Sequence, residues 1–158
     1  MFTAEIKSMA YDMKNKWIQL RRQIHQNPEL AFEEYKTSQL IADYLKTLNI
    51  ECTTGIAKTG VVGIIRGNKP GKTIAIRADM DALPIMEENN CEYPSLIKGK
   101  MHACGHDVHI TCLLGTAEIL SKLKSKIRGN IKFIFQPAEE GEGGALPMIN
   151  EGVLESPP

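Results

Sequence analysis

His102-Ala103-Cys104-Gly105-His106-Asp107-Val108-His109 runs without a break into Ile110, Leu113, Leu114, Ala117, Leu120 and Leu123. Those apolar positions recur at steps of three and four. The spacing predicts a buried helix over residues 107–124, with Cys104 and His106 just ahead of its first turn. Upstream, residues 61–66 and 73–77 are β-branched runs, and downstream residues 131–135 form a short apolar strand ending at Gln136-Pro137. A buried helix set among such strands implies an α/β fold, with helices packed on a partly antiparallel, partly parallel sheet.

Working outward, Ile6, Met9, Met13, Trp17, Leu20 and Ile24 form one stripe of a long amphipathic helix over residues 3–25. It ends at Asn27-Pro28, because proline pushes the preceding residue out of the helical region and offers no amide hydrogen. A second helix is predicted over residues 33–48, with Leu40, Ile41, Tyr44, Leu45 and Leu48 on one side. The segment 67–71, Gly-Asn-Lys-Pro-Gly, has hairpin chemistry, so the strands on either side of it are expected to be antiparallel neighbours. Residues 87–100 turn polar and irregular, as in a long loop that covers something. One more helix is expected over residues 145–154.

At 158 residues the chain is long enough for one core and is treated as one domain, residues 1–158. Lysine plus arginine number 19, as do aspartate plus glutamate, so no net field draws the protein to nucleic acid or to an anionic membrane. The N-terminus lacks the apolar run of a signal peptide, and no stretch approaches membrane-spanning length. The four cysteines, Cys52, Cys91, Cys104 and Cys112, contain no Cys-x-x-Cys pair. Reduced thiols and a cytoplasmic protein are the expectation.

Residues 102–109 carry three imidazoles, a thiol and a carboxylate, a density of metal-liking groups that a structural segment seldom needs. Gly105 lets the backbone turn tightly enough for the thiolate of Cys104 and the imidazole of His106 to converge on one ion. Glu140 is the expected third ligand, and ligands this far apart in sequence are typical of catalytic rather than zinc-ribbon sites. Glu139 is the candidate general base, taking a proton from an attacking water and passing it to a leaving nitrogen. Neighbouring residues on a strand point to opposite faces, so both glutamates reach one site only if the chain leaves the strand at Pro137. His109 could line the pocket, bind substrate or simply cap a neighbour. His25 is expected to be structural or to support the site indirectly, Asp79 and Asp81 to share a face at a strand end, and Asp107 to cap the helix.

Four segments, residues 21–30 (Arg-Arg-Gln-Ile-His-Gln-Asn-Pro-Glu-Leu), 76–84 (Ile-Arg-Ala-Asp-Met-Asp-Ala-Leu-Pro), 101–107 (Met-His-Ala-Cys-Gly-His-Asp) and 133–141 (Phe-Ile-Phe-Gln-Pro-Ala-Glu-Glu-Gly), resemble the amidohydrolase branch of the M20 metallopeptidases, in the same order. That branch includes hippurate hydrolases, other N-acyl-amino-acid hydrolases and N-acetyldiaminopimelate deacetylases. The resemblance implies a site for two divalent metals, manganese, zinc or cobalt, that cleaves the amide of an N-acyl amino acid or small peptide. It matches Cys104, His106 and Glu140 to metal ligands, Glu139 to the general base and Asp81 to a supporting catalytic aspartate. Asp79 stands where the wider family has a histidine ligand, and Val108 where the branch usually has glycine. Family members are more than twice as long, supply two further histidine ligands downstream and insert a lid domain. This chain stops at Pro158. The resemblance therefore implies the N-terminal part of a catalytic domain without its lid, incomplete for catalysis alone. Its partner would be a complementary C-terminal chain or a second copy, and the alternative is a non-catalytic half-site that binds metal.

Overall fold

The computed structural model describes residues 2–141 and 143–155. Along the chain come α1 (Phe2–Gln26), α2 (Tyr35–Thr47), β1 (Glu51–Ile56), β2 (Gly60–Arg66), β3 (Lys69–Asp79), α3 (His106–Lys122), a short 3₁₀ turn (Lys124–Lys126), β4 (Arg128–Gln136) and α4 (Ala145–Asn150). The three long helices fall where apolar periodicity places them. The last expected helix is shorter, because residues 151–155 continue as turns.

The four strands form one sheet in the order β1-β2-β4-β3, with β4 antiparallel to β2 and parallel to β3. The hairpin expected between β2 and β3 does not form. The chain instead crosses the start of β4, where the amide of Gly67 donates to the carbonyl of Gly129 and that of Asn68 to the carbonyl of Ile127. A Cβ on Gly67 would stand 2.4 Å from the Gly129 oxygen, so these glycines serve a close backbone crossing rather than a tight reversal. β4 takes the place between the two because it is apolar on both faces: Phe133 and Phe135 point to one core cluster and Ile134 to the other. The link from β3 through α3 to β4 is therefore a parallel crossover. β1 has no counterpart in the sequence reading; Glu51-Cys-Thr-Thr-Gly-Ile is a mostly exposed edge strand with little apolar signal.

One face of the sheet carries the main core, in which Leu20 and Ile24 of α1, Ile41 and Leu45 of α2, and Ile110 and Leu114 of α3 meet Val61, Ile65, Phe133 and Phe135. Each such side chain contributes about 1.5–3 kcal/mol on burial. On the other face, Val62 and Ile134 pack against Met148 and Val153. The irregular segment 87–100 lies on the end of α1: the Leu96 amide donates to the Gln26 carbonyl, and Tyr93 sits edge-on to His25 and beneath the guanidinium groups of Arg21 and Arg22.

Candidate metal centre

Because β3 and β4 run parallel, with Asp79 opposite Gln136, both strands end at the same edge of the sheet. The segment after each strand and the N-terminus of α3 meet there, the usual place for a site in an α/β sheet. Gly105, in the left-handed region at φ 88°, turns the chain into α3 and makes His106 its first helical residue.

The imidazole of His106 is the hub. Nδ1 lies 2.8 Å from the carbonyl oxygen of Asp81, so it carries the proton and donates, which leaves the Nε2 lone pair free. Nε2 faces three carboxylates: Asp79 Oδ1 at 3.6 Å, Glu139 Oε2 at 3.7 Å and Glu140 Oε1 at 3.8 Å. Ligand atoms of Cys104, His106 and Glu140 all lie within 4.8 Å of one another, and so do those of Asp79, His106 and His109. The sequence-derived ligand trio is thus brought together, and Glu139 stands beside it.

Both glutamates reach one nitrogen because the chain abandons the strand conformation at Pro137-Ala138. Ala138 has φ 51°, a left-handed geometry that costs a non-glycine residue about 1–2 kcal/mol. Asp81 meets the hub on its Nδ1 side, with Oδ1 3.4 Å from that nitrogen, and not at Nε2. It is buried, its Oδ1 accepts the Glu139 amide at 2.9 Å and its Oδ2 the Glu140 amide at 2.9 Å. Burial pushes the Asp81 carboxyl up, but His106 and those two amides outweigh it and hold the pKa below the ordinary value.

His109 Nδ1 sits 2.7 Å from Asp79 Oδ1, and its ring stacks on that of His106 with centroids 5.7 Å apart. The His109 side chain is 55 % exposed, so it stands at the mouth of the site. For His106, burial pulls the pKa down, but the hydrogen bond to Asp81 and the charges of Asp79 and Asp81 win and raise it. The Cys104 thiol is pushed up to about 11, first by its hydrogen bond with Glu140 and then by burial and the charges of Glu140, Glu139 and Asp79. A thiol and an imidazole crowded by carboxylates are an electrostatic mismatch that a divalent cation would resolve, since a coordinated thiol deprotonates outright. The donor set of soft sulfur, imidazole and carboxylate fits such an ion.

Asp107 is not the N-cap of α3, a position that Gly105 holds, but from within the first turn its Oδ1 accepts the Val108 amide at 2.9 Å. It is fully buried, and a buried carboxylate needs partners: Oδ2 lies 2.7 Å from His25 Nδ1 and 2.8 Å from Arg21 Nε. His25 also meets Glu87 through Nε2 at 3.1 Å, which ties α1, the covering segment and α3 together behind the site. His102 is buried with neither ring nitrogen in a hydrogen bond among the described residues, and burial lowers its pKa to about 4. Glu34, unnoticed in the sequence, is a further carboxylate that reaches this region, where it accepts the Ala138 amide. In Glu33-Glu34-Tyr35 nothing local sets it apart from its neighbour.

The parallel-strand edge thus gathers a thiol, two histidines and three carboxylates, a donor set of the kind that holds a divalent metal in an α/β fold. Residues 75–158 match the sequence profile of peptidase family M20/M25/M40, and the chain belongs to that family. It is 54 % identical over 153 residues to thermostable carboxypeptidase 2 of Saccharolobus solfataricus, covering 95 % of this chain and 39 % of that protein. It is 47 % identical over 156 residues to the N-acyl-L-amino acid amidohydrolase of Geobacillus stearothermophilus, covering 98 % and 42 %. The fold is similar, with a TM-score of 0.88 and 42 % identity, to the Bacillus subtilis YXEP protein, described as a dinuclear metal-binding peptidase of the M20 family; the match covers 92 % of this chain and 41 % of that one. The chain spans about two fifths of the length of the curated relatives it matches, and so corresponds to part of a catalytic domain. No helix among the described residues is long and apolar enough to cross a membrane.

Proposed function

We propose that this chain carries the first half of a metal-dependent amidohydrolase site that cleaves the amide bond of N-acyl amino acids or small peptides. The observation that carries the reading is His106 Nε2, held free by the bond from Nδ1 to Asp81 and surrounded at 3.6–3.8 Å by Asp79, Glu139 and Glu140. In this reading Cys104, His106 and Glu140 hold the ion. Zinc or cobalt suits a thiolate and an imidazole, and manganese is the harder alternative. When bound, the ion supplies Lewis acidity and lowers the pKa of water. Glu139 takes the proton from the attacking water and returns it to the leaving nitrogen. His109 contacts the substrate from the mouth of the site, and Asp81 acts through the backbone of the glutamate pair. The relatives' activities on N-acyl amino acids and peptides support this substrate class.

The test is metal content together with hydrolysis of a panel of N-acyl amino acids and dipeptides, with and without zinc, cobalt or manganese, using Glu139→Gln as control. Metal bound by both the wild-type chain and Glu139→Gln, with any turnover of the wild type lost in that variant, is the expected outcome. Turnover that persists in that variant would exclude Glu139 as the base.

A second reading is a half-site that holds metal without turnover until a complementary chain or a second copy completes it. It is favoured by the sharing of His106 between the two ligand groups, since one free nitrogen serves one ion. One ion per chain with no turnover would support it, and two ions per chain would exclude it.

A further inference from the structure

The geometry that brings Glu139 and Glu140 to one point depends on the left-handed backbone at Ala138, whose carbonyl accepts the Gly144 amide at 2.9 Å and whose amide is bound by a buried side chain. The Ala138 amide donates to Glu34 Oε1 at 2.9 Å, and Thr59 Oγ1 donates to Glu34 Oε2 at 2.5 Å. Glu34 is 0 % exposed, and its burial pushes its carboxyl pKa up.

Glu34 occupies the N-cap position of α2, where a carboxylate ordinarily accepts the free amides of the first turn. It makes no such bond. The amides of Lys36 and Thr37 go instead to Glu29, at 3.1 and 2.8 Å. The helix is capped by another residue, and Glu34 is left to reach across the fold to the turn that follows β4. A fully buried carboxylate is retained only where its bonds compensate the lost hydration, so this placement is costly unless the contact it makes matters. The next two amides of the same turn go to Asp81. Three successive amides, at Ala138, Glu139 and Glu140, therefore donate to two buried carboxylates, one from the start of α2 and one from the end of β3.

We propose that Glu34 is a positioning residue for the Glu139–Glu140 pair, holding the left-handed turn at Ala138 that lets both carboxylates approach Nε2 of His106. This rests on the reading of Glu140 as a ligand and Glu139 as a base, and it deepens that reading. The role is steric and hydrogen-bonding rather than a matter of charge. A glutamine at 34 keeps an acceptor for the Ala138 amide and turns its NH₂ group toward the Thr59 hydroxyl, which accepts in place of donating.

The experiment compares the wild-type chain with Glu34→Gln and Glu34→Ala by two readouts. Amide hydrogen exchange, measured without metal, reports on the turn itself. Glu34→Ala is expected to exchange at residues 138–140 at least roughly tenfold faster, with Leu113 and Leu114 in α3 unchanged and Glu34→Gln close to wild type. Cobalt titration, followed by the thiolate-to-cobalt absorption that Cys104 would give, reports on the site. Glu34→Ala should bind roughly 10–100-fold more weakly, and Glu34→Gln should recover most of the loss. Unchanged exchange at residues 138–140 in Glu34→Ala overturns the proposal whether or not cobalt binds. Faster exchange throughout the chain in both variants also overturns it, because Glu34 would then be ordinary fold support. A wild-type chain that gives no cobalt–thiolate band defeats the reading of the metal site, while the exchange result still decides the role of Glu34.

Discussion

His106 and Asp81 meet through two acceptors on one residue: Nδ1 of the imidazole lies 2.8 Å from the Asp81 carbonyl oxygen and 3.4 Å from its Oδ1. The backbone oxygen selects the tautomer of His106, and the carboxylate steers the glutamate pair through their amides. Asp81→Ala keeps the backbone carbonyl and removes the carboxylate. It should therefore preserve the tautomer, loosen residues 139–140 and lower zinc or cobalt affinity roughly 10–100-fold. Competition against a chromogenic chelator measures this, and an unchanged affinity would rule out the clamp.

The two ligand groups that share His106 are separable by substitution. If Cys104, His106 and Glu140 hold the ion, Cys104→Ala and Glu140→Gln each remove one of three ligands, whereas His109→Ala leaves all three. Equilibrium dialysis with zinc is expected to show weak or no binding in the first two variants and near wild-type binding in the third. The reverse ranking would assign the ion to Asp79, His106 and His109.

Gly115 lies in α3 beneath Trp17 of α1, where an added Cβ would stand 3.0–3.2 Å from atoms of the indole ring. The ring is also held at Nε1, which donates to Glu118 Oε2 at 3.0 Å. Gly115→Ala is expected to cost about 1–3 kcal/mol by overpacking, despite alanine's better helix propensity. Urea unfolding would read it, and a stabilised variant would mean that Trp17 can retreat.

Glu118 supplies the pH dependence. Burial pushes its carboxyl up, but hydrogen bonds from Lys16, Tyr44 and Trp17 outweigh this and hold it below the ordinary value of 4.5. The folded chain thus binds the proton less readily than the unfolded chain. This contribution to stability is present above about pH 4.5 and is lost as pH falls through the lower folded value. Glu118→Gln should be less stable than wild type at neutral pH, with the gap narrowing in acid. Thermal unfolding from pH 7 to pH 3 would show the convergence, and a constant gap would place the effect in packing rather than ionisation.

The elements that were legible in the chain are those whose signal is local. α1, α2 and α3 each carry an apolar stripe at helical spacing, and β4 a dense apolar run, so each could be placed from a short window. Cys104, His106, Glu139 and Glu140 stood out because chemistry-bearing side chains are crowded within a few residues. β1 was missed because an exposed edge strand needs few apolar residues. The β2–β3 hairpin was wrongly expected because the same glycines suit both a reversal and a close crossing, and nothing between residues 60 and 79 tells them apart.

By itself, then, the sequence determined the three long helices, the α/β class and the candidate ligands, since each follows from the periodicity or composition of a contiguous stretch. The tertiary structure alone decided which strand lies between β2 and β3, that Asp107 answers to His25 across 82 positions, and that Glu34 answers to Ala138 across 104. Those are choices among partners distant along the chain. They are settled by the burial of β4 on both faces and by the need of each buried carboxylate for hydrogen bonds, conditions that exist only once the core has closed.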